Sequence, residues 1–420
     1  MSSPALLARL LLPFGLLLPV SQALATPGGG EPDTMEAIRR HRQGTLTVLA
    51  QPGVPVKIEQ TRHEFWFGAA LANQAFNGRM AGTDAARYRE AFLANFNSAV
   101  TENALKWAVM EPRRGQVDYR TVDAILAWTG QHHIPLRGHN IYWGIEKFVP
   151  DWLKAMDNET LRRTLEARGR DIGRRYHGRF AEYDLNNEML HGNYYADRLG
   201  AGITQEMAAW VKAEDPDARL YLNDYDITTG RQLDRYVAQI RDLLQQGVPI
   251  AGIGVQGHLH GETFDRAALR HALDTLAQFS LPIRVTEFNI PGQRSRFCAA
   301  PKTVMTPEEE KRTAHELTDF YRICFSHPSV TGILMWGFWE GANWIPASSL
   351  YRRDWTPTPA GLAYRDLLFR EWWTRWEGET DEAGRFEAPA FFGAYLVTAG
   401  NRQARVQLTK QSGRVTVDLR

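Results

Sequence analysis

The chain has 420 residues, of which 44% are hydrophobic and 23% charged, ordinary proportions for a globular protein and too long for one minimal domain. Its 49 Lys and Arg nearly cancel 48 Asp and Glu, so it lacks the basic surplus expected of a nucleic-acid binder. The 13 tryptophans are unusual, and indole rings stack well on the flat C–H faces of sugars.

Residues 1–25 read as a signal peptide. Arg9 precedes an apolar run, Leu10–Val20, broken by Pro13 and Pro19, and Ala23-Leu24-Ala25 supplies a small-x-small cleavage pattern. The expectation is a secreted or periplasmic protein with no membrane attachment after cleavage, because no later stretch of 18 apolar residues follows. Residues 26–35 (TPGGG onward) read as a linker, and 36–63 as an N-terminal β segment with runs at 45–50 and 54–60 around Gln51-Pro52-Gly53.

From 64 to 371 short β runs alternate with amphipathic helical runs. The strands are expected at 65–70, 98–101, 136–138, 182–187, 220–223, 250–256, 283–288 and 332–336. The helices are expected near 83–95, 118–131, 158–175, 203–213, 230–246, 265–279, 307–325 and 357–370. Thr306, Pro307 and Glu309 form a capping box with Pro at the first helical position. Eight strand–helix units without a GxGxxG after the first strand predict an α/β fold, a closed (β/α)8 TIM barrel, with small flanking β segments at both ends. Residues 372–420 read as a small C-terminal β module, which the two N-terminal β runs can join, with packing on the barrel favoured over glycan binding. Cys298 and Cys324 are separated by 26 residues, a spacing that permits one disulfide without requiring it.

Active residues of such a barrel gather at the C-terminal ends of its strands. Those ends carry Thr101-Glu102-Asn103 with Lys106, His139-Asn140 with Trp143, and Asn186-Asn187-Glu188. They continue with Asn223-Asp224-Tyr225, Gln256-Gly257-His258, Glu287-Phe288-Asn289, and Trp336 with Trp344 beyond. Any one could be a satisfied structural polar group. So many polar and aromatic groups converging on one face is hard to explain as packing, because carboxylates resist burial without partners.

Cleavage of a glycosidic bond needs two carboxyl groups, a proton donor and a nucleophile or base. Glu188 and Glu287, three strands apart, are expected to face each other across the barrel mouth. Asn187 is placed to bind a sugar 2-hydroxyl, and His258 to hydrogen-bond Glu287 and keep it ionised. Glu188 is expected to be raised in pKa, mainly by the other carboxylate.

With these residues in view the chain resembles the family 10 glycoside hydrolases, the endo-β-1,4-xylanase family, and within it the extended plant-type members. The likeness is carried by Thr101-Glu102-Asn103, Lys106-Trp107, Arg137-Gly138-His139, Tyr183–Glu188, Asn223-Asp224-Tyr225, Gly252–His258, Thr286-Glu287 and Trp336-Gly337. The resemblance implies endo-acting retention, with Glu188 as acid/base and Glu287 as nucleophile. It also implies that Glu102, Asn103, Lys106, His139, Gln256, Trp336 and Trp344 bind xylose units on the glycone side, with Trp143 and Tyr225 as further contacts. Three departures stand out: Gly144 where the family has His, Asn289 where it has Asp behind His258, and Thr358-Pro359 for Lys-Pro. Neither cofactor nor metal is expected, and the partner is a polysaccharide acted on by a monomer. The alternatives are a β-glucan or decorated-xylan hydrolase, for which the small Gly144 would leave room, and a catalytically silent glycan-binding barrel.

Overall fold

The structure, a computed structural model, describes residues 32–299 and 303–420. The expected signal peptide and most of the expected linker therefore lie outside the described residues.

Eight parallel strands close into a barrel: β3 (Trp66–Leu71), β4 (Ser98–Thr101), β5 (Leu136–Gly138), β7 (Glu182–Asn187), β8 (Leu220–Asp224), β9 (Ile250–Val255), β10 (Ile283–Phe288) and β11 (Val330–Met335). Closure comes from the pairing of β11 with β3, where Gly332 to Met335 run beside Trp66 to Ala69. A two-residue strand, β6 (Tyr142–Trp143), also pairs with β7 and carries a tryptophan to the barrel mouth. Helices follow the strands close to the expected spans, including Pro307–Ser326 with its Thr306–Glu309 capping box. The last helix, Pro359–Asp366, ends in a π turn over Leu367–Glu371.

Outward-facing strand residues pack under the helices, as parallel strands buried on both faces require. The interior is divided. On the β3, β4 and β11 side it is apolar, with Ala70, Val100, Leu334 and Trp336 clustered against Trp66. On the other side it is ionic. Arg284 holds both oxygens of Glu182 at 3.1 Å, Arg137 bridges Glu182 to Asp184, and Asp184 Oδ2 meets His139 Nδ1 at 2.8 Å. Glycine makes room for these large groups: a Cβ at Gly252 would collide with the Tyr221 ring, and one at Gly332 with Arg284.

The N-terminal segment differs from its reading. Pro32–Arg42 is a helix, so the expected linker ends by residue 31 and the β segment begins at 43. Asp33 in its first turn and Arg39, Arg40 and Arg42 in its last suit the helix dipole. Arg42 then donates to the carbonyls of Phe325, His327 and Val330 at 2.5–2.8 Å, tying the segment to the end of the long 307–326 helix.

β1 (Gln43–Leu49) and β2 (Pro55–His63) do not stand apart from the C-terminal strands. β1 lies between β13 (Arg385–Phe391) and β16 (Arg414–Asp418). β2 lies between β12 (Arg375–Glu379) and β14 (Gly393–Ala399), and β15 (Arg402–Leu408) adds the edge. Leu46, Val48, Ile58, Val397 and Leu408 fill the space between the two sheets. The two ends of the chain thus build one β sandwich.

Cys298 and Cys324 are free thiols, so the permitted disulfide is not formed. Cys324 is sealed in the core on the buried face of the 307–326 helix, whereas Cys298 sits on a short helix, Arg296–Ala299. No helix among the described residues is long and apolar enough to cross a membrane.

Candidate active site

The C-terminal ends of the barrel strands open into a cleft of about 610 Å³. Every site residue expected from the sequence lines it except Asn187 and Asn289, which are buried behind the two glutamates.

Glu188 follows β7 directly and has φ +59°, a left-handed conformation uncommon for a side chain of its size. Its N–H donates to Asn223 O at 2.9 Å, which holds that turn. Two donors grip its carboxyl: Trp143 Nε1–H on Oε2 at 2.9 Å and Gln256 Nε2–H on Oε1 at 2.7 Å. Trp143 in turn lies flat on Phe148, with ring centroids 3.8 Å apart. Burial pushes the Glu188 pKa up, and the charge of Glu287 adds to it. The order reverses the expectation, in which the other carboxylate dominated: Glu188 is only 8% exposed before any substrate arrives.

Glu287, at the end of β10, is treated oppositely. Burial acts to raise it, but His139, His258 and Lys106 outweigh burial and pull it to about 2. Asn223 Nδ2 donates to its Oε1 at 2.8 Å, and His258 Nε2 lies 3.0 Å from its Oε2. His139 Nδ1 stands 3.9 Å from Oε1.

The tautomer of His258 follows from the groups behind it. Ser348 gives its hydroxyl proton to Ile345 O, so it accepts from Asn289 Nδ2 at 2.8 Å. That orients the Asn289 oxygen toward His258 Nδ1, 2.9 Å away, and makes Nδ1 a donor. The departure to Asn289 therefore preserves the hydrogen bond and removes the countercharge.

Along the β3–β5 side, burial raises Glu102 to about 7 against the opposing charge of Lys106. Lys106 Nζ meets Asn103 Oδ1 at 2.9 Å and sits over the rings of Trp143 and Trp336 at 4.9 and 5.7 Å. Trp336 is buried, whereas Trp344 is 47% exposed at the cleft edge and stands edge-on to His258. Tyr225 stacks on His191 at 3.5 Å.

Two residues given no site role from the sequence prove central. Asn223 donates to Asn187 Oδ1 at 2.9 Å as well as to Glu287, and takes a bond from Thr286 Oγ1 at 2.6 Å. Asp184 links His139 to the ionic interior. Both are inward-facing polar residues of strands whose ends were already singled out, and strand alternation alone points to them. Asn187 Nδ2 is buried with no partner among the described residues. Gly144 does not face the cleft. It lines a neighbouring cavity with Gly192 and Tyr194, where a Cβ would meet Tyr195 at 3.2 Å and Gly192 O at 3.3 Å.

The model of glycosyl hydrolase family 10 matches residues 58–366. The chain is 36% identical over 339 residues to anti-sigma-I factor RsgI6 of Acetivibrio thermocellus, covering 80% of this chain and 41% of that protein. It is 32% identical over 349 residues to endo-1,4-beta-xylanase 2 of Arabidopsis thaliana, covering 82% of this chain and 30% of that one. The chain thus spans well under half the length of these curated relatives. Native xylanase 10B from Thermotoga maritima superposes with a TM-score of 0.65 at 24% identity, over 73% of this chain and 96% of that one, and so shares the barrel fold.

Proposed function

The chain belongs to glycosyl hydrolase family 10, and on that footing we propose that it is an exported, monomeric, endo-acting β-1,4-xylanase that retains anomeric configuration. The observation that carries the reading is the opposed treatment of two buried carboxyls: Glu188 is pushed toward its acid form and Glu287 is held ionised at about 2. One site thereby holds a proton donor and a nucleophile at the same pH, which double displacement requires.

In this reading Glu287 attacks the anomeric carbon while Glu188 protonates the departing glycosidic oxygen. Glu188, now a base, then takes a proton from water, which hydrolyses the glycosyl-enzyme. Gln256 and Trp143 keep the Glu188 carboxyl aimed through both steps. The free Nδ2–H of Asn187 serves the sugar 2-hydroxyl. Glu102, Asn103, Lys106 and Trp344 hold the glycone side. The chemistry uses carboxyl groups alone and calls for no cofactor. Xylan is favoured over β-glucan because Gly144 lines a neighbouring cavity and not the cleft itself. The signal-like residues 1–25 support export.

A 2-deoxy-2-fluoro-xylobioside with a good leaving group tests the reading. It is expected to inactivate the enzyme and to label Glu287, and the first product from xylan is expected as the β anomer. Labelling elsewhere, or an α product, overturns it.

A further inference from the structure

The turn that carries Glu188 carries a second functional group. The Glu188 carbonyl accepts the N–H of His191 at 3.0 Å, which fixes an imidazole three residues beyond the glutamate. Asp224, the last residue of β8, holds that ring. Its Oδ1 accepts from His191 Nδ1 at 2.7 Å and from Tyr225 N at 2.9 Å, and its Oδ2 accepts from Leu190 N at 2.8 Å. The Asp224 side chain is only 1% exposed, and His191 is its one ionisable partner among the described residues. A carboxyl so deeply buried needs such a partner, so the imidazole is firmly anchored.

The anchored ring lies flat against Tyr225. The two planes are 12° from parallel and the centroids 3.5 Å apart, closer than ring pairs usually stand. Tyr225 lines the cleft, whereas His191 lines the neighbouring cavity of about 750 Å³. Whatever His191 does for the reaction therefore passes through Tyr225. Burial pushes the Tyr225 phenol up to about 12, and the charge of Glu188 adds to that, so the two side chains are neighbours. Because Glu188 protonates the departing oxygen, the sugar beside Tyr225 is the one that leaves.

We infer that His191 is a positioning residue: stacked on Tyr225 and anchored by Asp224, it fixes the plane of the aromatic ring that receives the departing sugar. One turn thereby sets both the proton donor and the platform for the group it protonates. A ring free to rotate would have to be ordered each time the sugar binds, a cost that prior stacking removes. The inference rests on the xylanase reading and deepens it by assigning the leaving-group side.

The test compares xylotetraose, whose leaving group is a sugar, with β-xylobiosyl fluoride, whose leaving group is one atom with nothing to lay on Tyr225. His191→Asn keeps a side-chain N–H for Asp224 and removes the ring. Its kcat/KM on xylotetraose is expected to fall about threefold to tenfold, the worth of a stacked ring pair, while the fluoride turns over as in the wild type. Unchanged fluoride turnover also certifies the fold, and His191→Gln, which likewise offers an amide N–H, serves if the first variant is unstable. An equal loss on both substrates, or a loss on neither, overturns the positioning role and leaves the xylanase reading standing. A wild type that cleaves neither substrate removes the xylanase reading and the positioning role with it.

Discussion

His258 Nε2 lies 3.0 Å from Glu287 Oε2, while its other ring nitrogen is already committed to Asn289. The nucleophile is thus held ionised by a ring whose orientation is set from behind.

Replacing His258 with Ala removes one of the groups that outweigh burial at Glu287. The Glu287 pKa then rises, and its ionised form disappears at a higher pH than before. The acidic limb of kcat/KM is expected to move upward, as a pH–rate profile on a soluble xylo-oligosaccharide will register. An acidic limb that stays in place would show that His258 does not govern the nucleophile.

Glu188 differs in needing its proton. Glu188→Gln is expected to slow xylan hydrolysis by roughly 10²–10⁴-fold, the usual range for a lost general acid. Aryl xylobiosides with very acidic leaving groups need no protonation, so their first step should be far less affected. Equal loss on both substrates argues against the acid role.

Gln256 moves the same group the other way. Burial raises the Glu188 pKa, and the Gln256 hydrogen bond opposes that rise. Gln256→Ala is therefore expected to raise it further and to extend the alkaline limb of activity upward. A downward shift would contradict the assignment of Glu188 as the acid.

The ionic interior is a matter of stability. Burial acts to raise Glu182, but Arg284 and Arg137 overcome it and bring its pKa down to about 2. A carboxyl depressed in the folded state contributes stability above its unfolded value of 4.5, and that contribution fades as pH falls toward 2. Glu182→Ala leaves two buried guanidiniums facing each other and is expected to cost about 3–5 kcal/mol at neutral pH. Urea unfolding at pH 7 and pH 3 checks both parts: the deficit should shrink at the lower pH.

The β sandwich offers a packing test. Ile58 is fully buried between its sheets, and β2 belongs to the N-terminal half of that core. Ile58→Ala should destabilise by about 2–5 kcal/mol. Because Arg42 ties this segment to the 307–326 helix, barrel and sandwich are expected to melt in one transition. Two separated transitions by calorimetry would show that the sandwich unfolds alone.

Much of the barrel was legible because its signals are local. Ser98–Thr101, Glu182–Asn187 and Ile283–Phe288 occupy the spans expected of them, and the helix from Pro307 starts where its cap says it must. The Pro32–Arg42 helix was not, since its glycine- and proline-rich approach resembles a linker and its stability depends on docking against the barrel. β12 was missed because Arg375–Glu379 is exposed throughout and carries no apolar alternation.

The amino-acid order by itself determined which groups end each strand, and with them the pair Glu188 and Glu287. Strand period and barrel topology convert position along the chain into position at the mouth. Only the tertiary structure decided how each carboxyl is treated. Gln256 on Glu188, Asn223 between Asn187 and Glu287, and Ser348 behind Asn289 are contacts between residues 36 to 68 positions apart in the chain, with no local signal. Proton affinity depends on burial and on charges a few ångströms away, and those distances exist only once the chain has closed on itself.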